Sequence, residues 1–481
     1  MNQRPKNLGL VALTYCLLTA HAAAADPSPP PTAKSRPPVA ANLQLPPDLG
    51  TRAGGDDWPC FLGPQGDSHS REQGLRTDWT ADPPPIVWQL PIETGYAMPS
   101  ISRGRLFNFS RVGKNARLQC LASETGRPLW NFEYPTTYED LYGYDNGPRC
   151  SPVIDGPRVY IVGPEGMLHC LRAIDGQVLW KVDTAAKFHV VQNFFGVGST
   201  PLIFGDLLIA NIGGSPAADQ AVPPGQLDHV HGDGTGVVAF DKFTGEVRYA
   251  LSDELASYAS PRLTTIGGRP WCFVLARGGL LGFDPANGQL DFEFPWRAEI
   301  LESVNASTPV VVDDLVLISE TYGPGSALLR VRPGGSKVVW SDADRRRDKR
   351  MQAHWNTPVY ERGYLYGSSG RHTQNAELRC IELASGEVKW SEPGLSRSSL
   401  LLVDGHLVCL TEYGELLLLR ATCEKFDVVG RLVLKDAAGD GEQDRLLKYP
   451  AWAAPILSHG LMYVRGQHRL VCLEAIPAKG R

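Results

Sequence analysis

The chain has 481 residues, 43% of them hydrophobic and 21% charged, which is enough apolar side chain for a large core and excludes wholesale disorder. The formal net charge of −5 leaves no basic excess and argues against nucleic acid as a partner. Length alone predicts about three domains. The 50 glycines and 38 prolines instead interrupt long helices and favour an all-β chain with many turns.

The N-terminus has the pattern of a secretory signal peptide over residues 1–25. Arg4 and Lys6 precede an apolar run at residues 8–20, and alanines follow up to Ala25. The run is too short to span a bilayer as a mature helix. Cleavage near Ala25 therefore predicts a periplasmic or secreted protein without a transmembrane segment in the mature chain.

Two alternatives for the N-terminus stay open, an uncleaved membrane anchor and lipidation at Cys16. Tyr15 argues against lipidation, because a lipidation motif has a small residue at that place. Residues 26–55 are rich in proline and predict an extended, disordered linker. The remaining chain is predicted to form one domain at residues 56–475, followed by a C-terminal tail at residues 476–481.

A repeated unit dominates this domain. LQCLASETGRPLW at residues 118–130 recurs as LHCLRAIDGQVLW at residues 168–180. Each unit predicts a β-hairpin whose turn glycine takes a positive φ and whose closing aromatic residue packs between neighbouring sheets. The repeated positions are Gly126, Gly176, Gly245, Gly288 and Gly386, and Trp88, Trp130, Trp180, Trp340 and Trp390.

A second hairpin precedes each of these units, in most copies opened by a proline. Two hairpins per ~50 residues make a four-stranded antiparallel sheet, the blade of a β-propeller. Counting the copies predicts eight blades, with seven as the alternative if a decayed copy is not a blade. The last blade lacks its outer strand, and IVWQL at residues 86–90 is predicted to supply it and close the ring.

Repeats of the form L-x-C-L-x-x-x-T-G-x-x-x-W resemble the pyrroloquinoline-quinone (PQQ)-type β-propeller repeat. The family includes quinoprotein dehydrogenases and the propeller lipoprotein of the outer-membrane barrel-assembly machinery. WPCFLGP at residues 58–64 is similar to the lead-in of secreted PQQ-like propeller proteins. The resemblance implies the propeller fold, whereas the repeated residues are structural and leave the function open.

The resemblance also raises the question of whether this protein binds PQQ. Alcohol-oxidising members use an adjacent Cys-Cys pair beside PQQ, Glu and Asn ligands for Ca²⁺, and an Asp base. This sequence has no Cys-Cys dipeptide. We therefore predict no cofactor, and PQQ with Ca²⁺ belongs to the alternative in which the protein is a quinoprotein oxidoreductase acting on alcohols or sugars.

The cysteines are interpreted as structural. Cys120, Cys170, Cys380 and Cys472 occupy the same place in the third strand of four blades. Blades packed face to face lie ~10 Å apart, farther than a disulfide reaches. These residues are therefore predicted to be small, buried hydrophobic side chains.

No catalytic residue is predicted, because no nucleophile-elbow, zinc-protease or phosphate-binding-loop motif occurs. The densest group of potential metal ligands is DHVHGD at residues 228–233. Two His and two Asp so close could hold a divalent metal. The spacing matches no established motif, so the prediction is a solvated polar loop without a metal. The weak candidates are Asp228, His229, His231 and Asp233.

The long connections between predicted strands are expected to lie on one face, the usual sign of a binding surface. Residues just before each blade's first strand are expected to ring the mouth of the central channel. They are Tyr96, Asn146, Arg149, Phe195, Tyr258, Asn305, His354, Trp355, Arg397 and Trp452. We predict that this face binds a protein or carbohydrate ligand, as a non-catalytic binding or scaffold module. A scaffold for outer-membrane protein assembly is a further alternative.

Overall fold

A computed structural model describes residues 43–52, 54–436 and 444–478. The predicted signal peptide, most of the predicted linker and the end of the predicted tail lie outside these residues. The repeats fold into eight blades of four antiparallel strands each, which form one propeller, and a fifth, parallel strand extends the sheet of one blade. The predicted all-β, eight-bladed fold is confirmed, and the alternative of seven blades is wrong.

The strands follow the order of the repeats. Before the first blade lie β1 (His69–Ser70) and β2 (Ile86–Pro91). Blades 1 and 2 contain β3 (Ser100–Ser102), β4 (Arg105–Val112), β5 (Asn115–Ala122), β6 (Pro128–Pro135), β7 (Val153–Asp155), β8 (Arg158–Val162), β9 (Met167–Arg172) and β10 (Val178–Asp183). Blades 3 and 4 contain β11 (Leu202–Phe204), β12 (Leu207–Asn211), β13 (Val237–Asp241), β14 (Val247–Leu251), β15 (Arg262–Ile266), β16 (Arg269–Leu275), β17 (Gly279–Phe283) and β18 (Leu290–Pro295).

The second half of the ring repeats this plan. Blades 5 and 6 contain β19 (Val310–Val312), β20 (Leu315–Glu320), β21 (Gly325–Arg332), β22 (Gly335–Ser341), β23 (Val359–Glu361), β24 (Tyr364–Ser369), β25 (Glu377–Glu382) and β26 (Val388–Pro393). Blades 7 and 8 contain β27 (Ser398–Val403), β28 (His406–Thr411), β29 (Glu415–Arg420), β30 (Val428–Val433), β31 (Ile456–Ser458), β32 (Leu461–Arg465) and β33 (Arg469–Glu474). Short helices lie in the connections: α1 (Thr184–Lys187) and the 3₁₀ helices Ala217–Ala221, Leu227–His229 and Thr373–Asn375.

The ring closes through a strand from the other end of the sequence, as predicted. β2 pairs antiparallel with β33, placing Trp88 opposite Cys472 and Gln89 opposite Val471. Blade 8 therefore takes three strands from the C-terminal end and its outer strand from the N-terminal end. This pairing ties the two ends of the propeller together and leaves no unmatched outer strand at the seam.

The repeated glycine and aromatic positions meet between neighbouring blades. A Cβ on Gly126 would lie 2.9 Å from the Trp88 ring, and one on Gly176 would lie 2.6 Å from the Trp130 ring. Trp88 Nε1 also donates to the Ser123 carbonyl at 2.8 Å. Gly245 faces Trp180, Gly288 faces Tyr249 and Gly386 faces Arg350 and Trp340 in the same way. The repeat therefore encodes the contact between blades as well as the turn.

Changing Gly176 to alanine is expected to lower the free energy of unfolding by about 3 kcal/mol. Gly176 has a φ of +76°, which strains an alanine backbone, and the added Cβ would also clash with the Trp130 ring. The costs of backbone strain and of overpacking therefore add. The control is Gly205→Ala, where φ is +56° but nothing lies within 4 Å of the added carbon. It should cost about 1 kcal/mol from backbone strain alone. Urea unfolding of both variants measures the difference, and equal losses would contradict the inter-blade contact.

The four equivalent cysteines lie directly opposite the repeated aromatic positions. Cys120 pairs with Trp130, and Cys170 pairs with Trp180 in the β-ladder. Cys120, Cys170, Cys380 and Cys472 are fully buried and free, as predicted. Burial raises the pKa of the Cys120 and Cys170 thiols to about 12. These cysteines therefore act as small neutral side chains beside large rings.

The segment before β2 closes one end of the central channel, which the sequence did not predict. We call residues 58–70 the plug. Trp58 exchanges backbone hydrogen bonds with Ile101 of blade 1, and the Ile154 amide of blade 2 donates to Pro59 at 2.8 Å. β1 then runs parallel to β27 of blade 7. The plug thus crosses the channel and binds the innermost strands of three blades.

The residues that flank the plug, Asp57 and Glu72, bind the short turn between the first and second strands of blade 8. Glu72 accepts hydrogen bonds from the His459 and Gly460 amides at 2.8 and 2.6 Å, and His459 Nε2 lies 3.2 Å from Asp57 Oδ1. Burial opposes protonation of His459, but Asp57 and Glu72 outweigh it and raise its pKa overall. The plug therefore lies at the end of the channel formed by the short turns.

Contacts with the propeller begin before the predicted linker boundary at residue 55. Arg103 Nε donates to the Pro46 carbonyl and Arg105 Nη1 donates to the Pro47 carbonyl, both at 2.7 Å. Residues 43–52 therefore lie along blade 1 on the short-turn face. Among the residues that the structure describes, no helix is long and apolar enough to cross a membrane.

Candidate binding site at the channel mouth

The long connections emerge on one face of the disc. In a four-stranded antiparallel blade, the connection between the second and third strands and the connection to the next blade leave at the same edge. The longest connections belong to these two classes: residues 184–201, 212–236 and, as far as the structure describes it, 434–455. We call this surface the long-loop face, and it lies opposite the short turns and the plug.

A cavity of about 210 Å³ lies at the centre of this face. Phe61, Leu62 and Ser68 of the plug form its floor, and residues preceding the first strands of several blades form its wall. Tyr144, which lines it, is 56% exposed, so the cavity reaches the surface on the long-loop face. We call it the central cavity; it is blind because the plug closes the channel beneath it.

Eight of the ten predicted channel-mouth residues line the central cavity. They are Tyr96, Arg149, Phe195, Tyr258, His354, Trp355, Arg397 and Trp452. Asn146 and Asn305 are not among the residues that line it. Asn305 is 1% exposed and donates to the Ala276 and Trp296 carbonyls at 2.8 and 2.9 Å. Asn146 Oδ1 accepts from the Asp140 amide at 2.8 Å. The side chains of both asparagines instead form hydrogen bonds with backbone groups of the loops.

Arg397 is neutralised by a carboxylate below the cavity wall. Its Nη2 donates to Glu412 Oε2 at 2.7 Å, and the Glu412 side chain is fully buried. Trp452 Nε1 donates to the same oxygen at 3.0 Å. Burial would raise the pKa of Glu412, but the hydrogen bonds from Arg397 and Trp452 outweigh it and lower that pKa. The pair is therefore ionised.

The flat face of the Arg397 guanidinium is part of the wall. It lies 4.4 Å from the Trp355 ring and 5.4 Å from the Trp452 ring. Arg149 repeats this arrangement across the cavity. It is paired with the fully buried carboxylate of Asp140 and lies 5.6 Å from the Tyr96 ring. Both arginines thus add planar, charge-compensated surface.

Aromatic rings form a continuous wall around the cavity. Trp452 lies 4.6 Å from Trp355 and 4.7 Å from Tyr96, measured between ring centroids. Tyr144 bridges Trp452 and Phe195 at 6.1 and 5.9 Å. The wall extends outwards into an exposed set, the aromatic rim: Leu141, Tyr142, Tyr144, Tyr413 and Tyr449, which are 41 to 56% exposed.

His354 is a neutral member of the wall. Burial, together with the charges of Arg397 and Arg371, lowers the pKa of His354 to about 3. Its Nε2 lies 3.3 Å from the Tyr322 hydroxyl. A histidine that stays unprotonated at neutral pH cannot serve there as a general acid. His354 therefore contributes ring surface and one hydrogen-bonding edge.

Sequence reasoning missed the residues that support the wall. Glu412 directly follows the apolar strand β28. A carboxylate in that position was the sequence signal that could have identified it as a supporting residue. Tyr322, Asp140 and the floor residue Phe61 carried no such signal. Their roles depend on which loops meet at the channel.

Polar side chains of the DHVHGD loop form ion pairs and hydrogen bonds with neighbouring residues. Asp228 binds Arg277 and Arg297 at 2.9 and 2.6 Å, and His231 Nδ1 lies 3.1 Å from Asp219. Across the described ranges, no three or more His, Cys, Asp or Glu side chains are placed to hold a metal ion. The predicted metal candidates, including His229 and Asp233, are therefore not brought together.

Another carboxylate near the site, Glu320, is expected to change its protonation state near neutral pH. Glu320 at the end of β20 is 1% exposed and accepts from the Tyr322 amide at 2.9 Å and from Ser303 Oγ at 3.2 Å. Burial raises the pKa of Glu320 to about 7. The folded protein thus holds a proton on Glu320 at pH values where the unfolded chain has lost it.

Stability is therefore expected to fall as the pH rises from about 4.5 to 7, because the folded state binds more protons in that window. Glu320→Gln should remove this dependence and raise the free energy of unfolding at pH 8 by about 2 kcal/mol relative to the native chain. Urea unfolding at pH 5 and pH 8 measures both effects, with Glu299→Gln at an exposed site as control. An unchanged pH dependence in Glu320→Gln would contradict the assignment.

The fold and site define the class of protein, an eight-bladed propeller of PQQ-type repeats with an aromatic cavity at its centre. A family model described as outer membrane protein assembly factor BamB matches residues 114–293 and 210–423, more than half of the chain. The chain belongs to this family, which confirms the resemblance stated from the repeats.

Solved structures share the fold. BamB from Moraxella catarrhalis superposes with a TM-score of 0.54 at 12% identity, over 82% of this chain and 99% of that chain. Quinohemoprotein alcohol dehydrogenase from Comamonas testosteroni gives 0.59 at 12% identity, over 88% of this chain and 81% of that chain. At these identities the likeness shows the fold alone. A search of curated proteins found no significant match.

Proposed function

We propose that this protein is a non-catalytic binding or scaffold module that holds a protein partner on its long-loop face, in the periplasm or outside the cell. The aromatic rim carries this proposal, because it exposes Tyr142, Tyr144, Tyr413 and Tyr449 around one cavity. Tyrosine, tryptophan and arginine dominate the residues that contribute most to protein interfaces. The rim and the central cavity have this composition.

The ionisable groups of the cavity wall support binding rather than catalysis, and Glu320, whose pKa is raised to about 7, is not among the residues that line the cavity. Glu412 and Asp140 are each committed to an arginine, and His354 is neutral at physiological pH. General acid–base catalysis needs a group whose pKa lies near the working pH and whose proton can move. These three groups instead stiffen the wall.

The quinoprotein alternative has a weaker fit to the residues present. Ca²⁺ takes six to eight oxygen ligands, mainly carboxylates, and within the part of the chain that the structure describes no Asp or Glu lines the central cavity. Asn356 lines it, but its Nδ2 donates to the Ser368 and Ser398 carbonyls and its Oδ1 accepts from the His354 amide. The described lining thus offers hydroxyl and amide oxygens but no carboxylate, which supports the non-catalytic proposal over a calcium–quinone site.

A role in outer-membrane protein assembly is the second candidate function, and membership of the BamB family favours it. Residues 43–52 lie on the short-turn face. This face lies opposite the aromatic rim, so a partner bound on the long-loop face would not displace residues 43–52.

Site-specific photocross-linking in the producing cells tests the proposal. A benzoylphenylalanine replaces Leu141 or Tyr449 on the rim, or Ile174 in a short turn on the opposite face. Leu141 and Ile174 are 43% and 44% exposed, so the two positions are matched in accessibility. We expect the same protein to be captured from 141 and 449 but not from 174. Capture from 174 alone, or of a polysaccharide from the rim, would contradict the proposal.

A further inference from the structure

We propose that the central cavity receives one uncharged aromatic side chain of the partner, inserted from the long-loop face as the anchor of the interface. This inference rests on the proposed function and names the chemistry that the site selects. It stands on three properties of the cavity: its closed floor, its size and its compensated charge.

The closed floor and the size favour a single side chain. Phe61 and Leu62 block the channel, so an occupant enters and leaves by the same opening and cannot thread through. Pockets that enclose a whole drug-sized molecule measure about 300–1,000 Å³. The central cavity, at about 210 Å³, is smaller and suits one ring carried on a polypeptide.

The charge distribution favours a neutral occupant. Among the described residues, no carboxylate lines the cavity, so a cationic side chain would find no partner of opposite charge there. The guanidinium groups of Arg149 and Arg397 each already bind a fully buried carboxylate, so an anionic side chain would find no free charge to pair with inside the lining. An uncharged ring avoids both penalties, since a buried charge without a partner is costly.

The ring geometry favours an aromatic over an aliphatic occupant. Trp355, Trp452 and Tyr96 are mutually tilted, by 44° and 51° for the two pairs that include Trp452. Aromatic pairs prefer tilted or offset contacts with centroids 4.5–7 Å apart. A ring entering between these walls extends the existing pattern of tilted ring contacts, which a leucine side chain cannot make.

Saturation-transfer NMR of the full chain tests this with N-acetyl-tryptophanamide, N-acetyl-leucinamide and N-acetyl-lysinamide as probes. Ala306 lines the cavity, so Ala306→Phe fills it, while Ala343→Phe places the same ring on an exposed loop. We expect transfer to the tryptophan amide at least fivefold stronger than to the other two. Ala306→Phe should abolish that transfer, and Ala343→Phe should leave it intact. Thermal unfolding of both variants checks that they fold.

Three results would overturn the inference: equal transfer to all three amides, no effect of Ala306→Phe, or stronger binding of benzoate or methyl glucoside than of the tryptophan amide. Its failure can be told apart from failure of the proposed function. Cross-links from 141 and 449 without binding of the tryptophan amide refute only the aromatic anchor. Binding of the amide without cross-links supports the anchor site and refutes the protein partner.

Discussion

Replacing Glu412 by alanine is expected to lower the free energy of unfolding by about 3–5 kcal/mol, because it leaves a mostly buried Arg397 without its carboxylate. Trp452 also loses the acceptor for its indole N–H. Urea unfolding followed by tryptophan fluorescence measures the loss and reports on Trp452 at the same time. Binding at the central cavity should fall in parallel, since Arg397 and Trp452 form part of its wall.

Glu415→Ala is the matched control for this prediction. Glu415 also pairs with an arginine, Arg431, but the two side chains are 30% and 53% exposed. Exposed pairs contribute up to about 1 kcal/mol. The double variant Glu412→Leu/Arg397→Met should recover most of the stability lost in Glu412→Ala, because it removes both charges together. Similar losses in Glu412→Ala and Glu415→Ala would show that the buried pair has no special role.

Replacing Trp58 by alanine is expected to cost about 3–5 kcal/mol, the range for removing a large buried ring. Trp58 is 1% exposed and packs so closely on Gly63 that an added Cβ there would lie 2.8 Å from its ring. Loss of the ring should loosen the plug from Ile101 and open the floor of the central cavity. Urea unfolding measures the stability, and limited proteolysis measures cleavage within residues 58–70.

Leu49→Ala serves as control, because Leu49 belongs to the same N-terminal segment but is 40% exposed. It should change stability by less than about 1 kcal/mol. Cleavage of the plug should increase only in Trp58→Ala. A variant that loses stability while its plug stays resistant to protease would show that the ring supports blade 1 and does not hold the plug.

The blade architecture could be predicted because the interactions that build it recur at short and regular separations. Trp130 and Gly176 meet between adjacent blades, and both belong to the repeated motif. The closing strand was predicted in the same way. The last repeat lacks an outer strand, and the segment around Trp88, near the N-terminus, resembles the outer strands of the other repeats. Repetition therefore made local patterns informative about contacts between blades.

The position of the channel mouth was predictable in part, because the fold places the residues before each first strand around the axis. The direction of each side chain was not. Asn305 precedes a first strand but turns to backbone carbonyls of two loops, whereas Trp452 turns to the cavity. The sequence does not show which loop carbonyls lack a backbone donor. Such carbonyls accept hydrogen bonds from nearby side-chain amides.

The sequence by itself determined the fold class, favoured eight blades over seven and identified the residues that pack between blades, because the hairpin turns and the inter-blade aromatic residues recur from repeat to repeat. Only the tertiary structure decided that the channel is blind, that Arg149 and Arg397 are neutralised, and that the rim is continuous with the cavity. The floor residue Phe61 and the wall residue Trp452 are separated by nearly the whole propeller in sequence. Such contacts depend on which distant loops meet once the ring has closed, and no local pattern encodes that meeting.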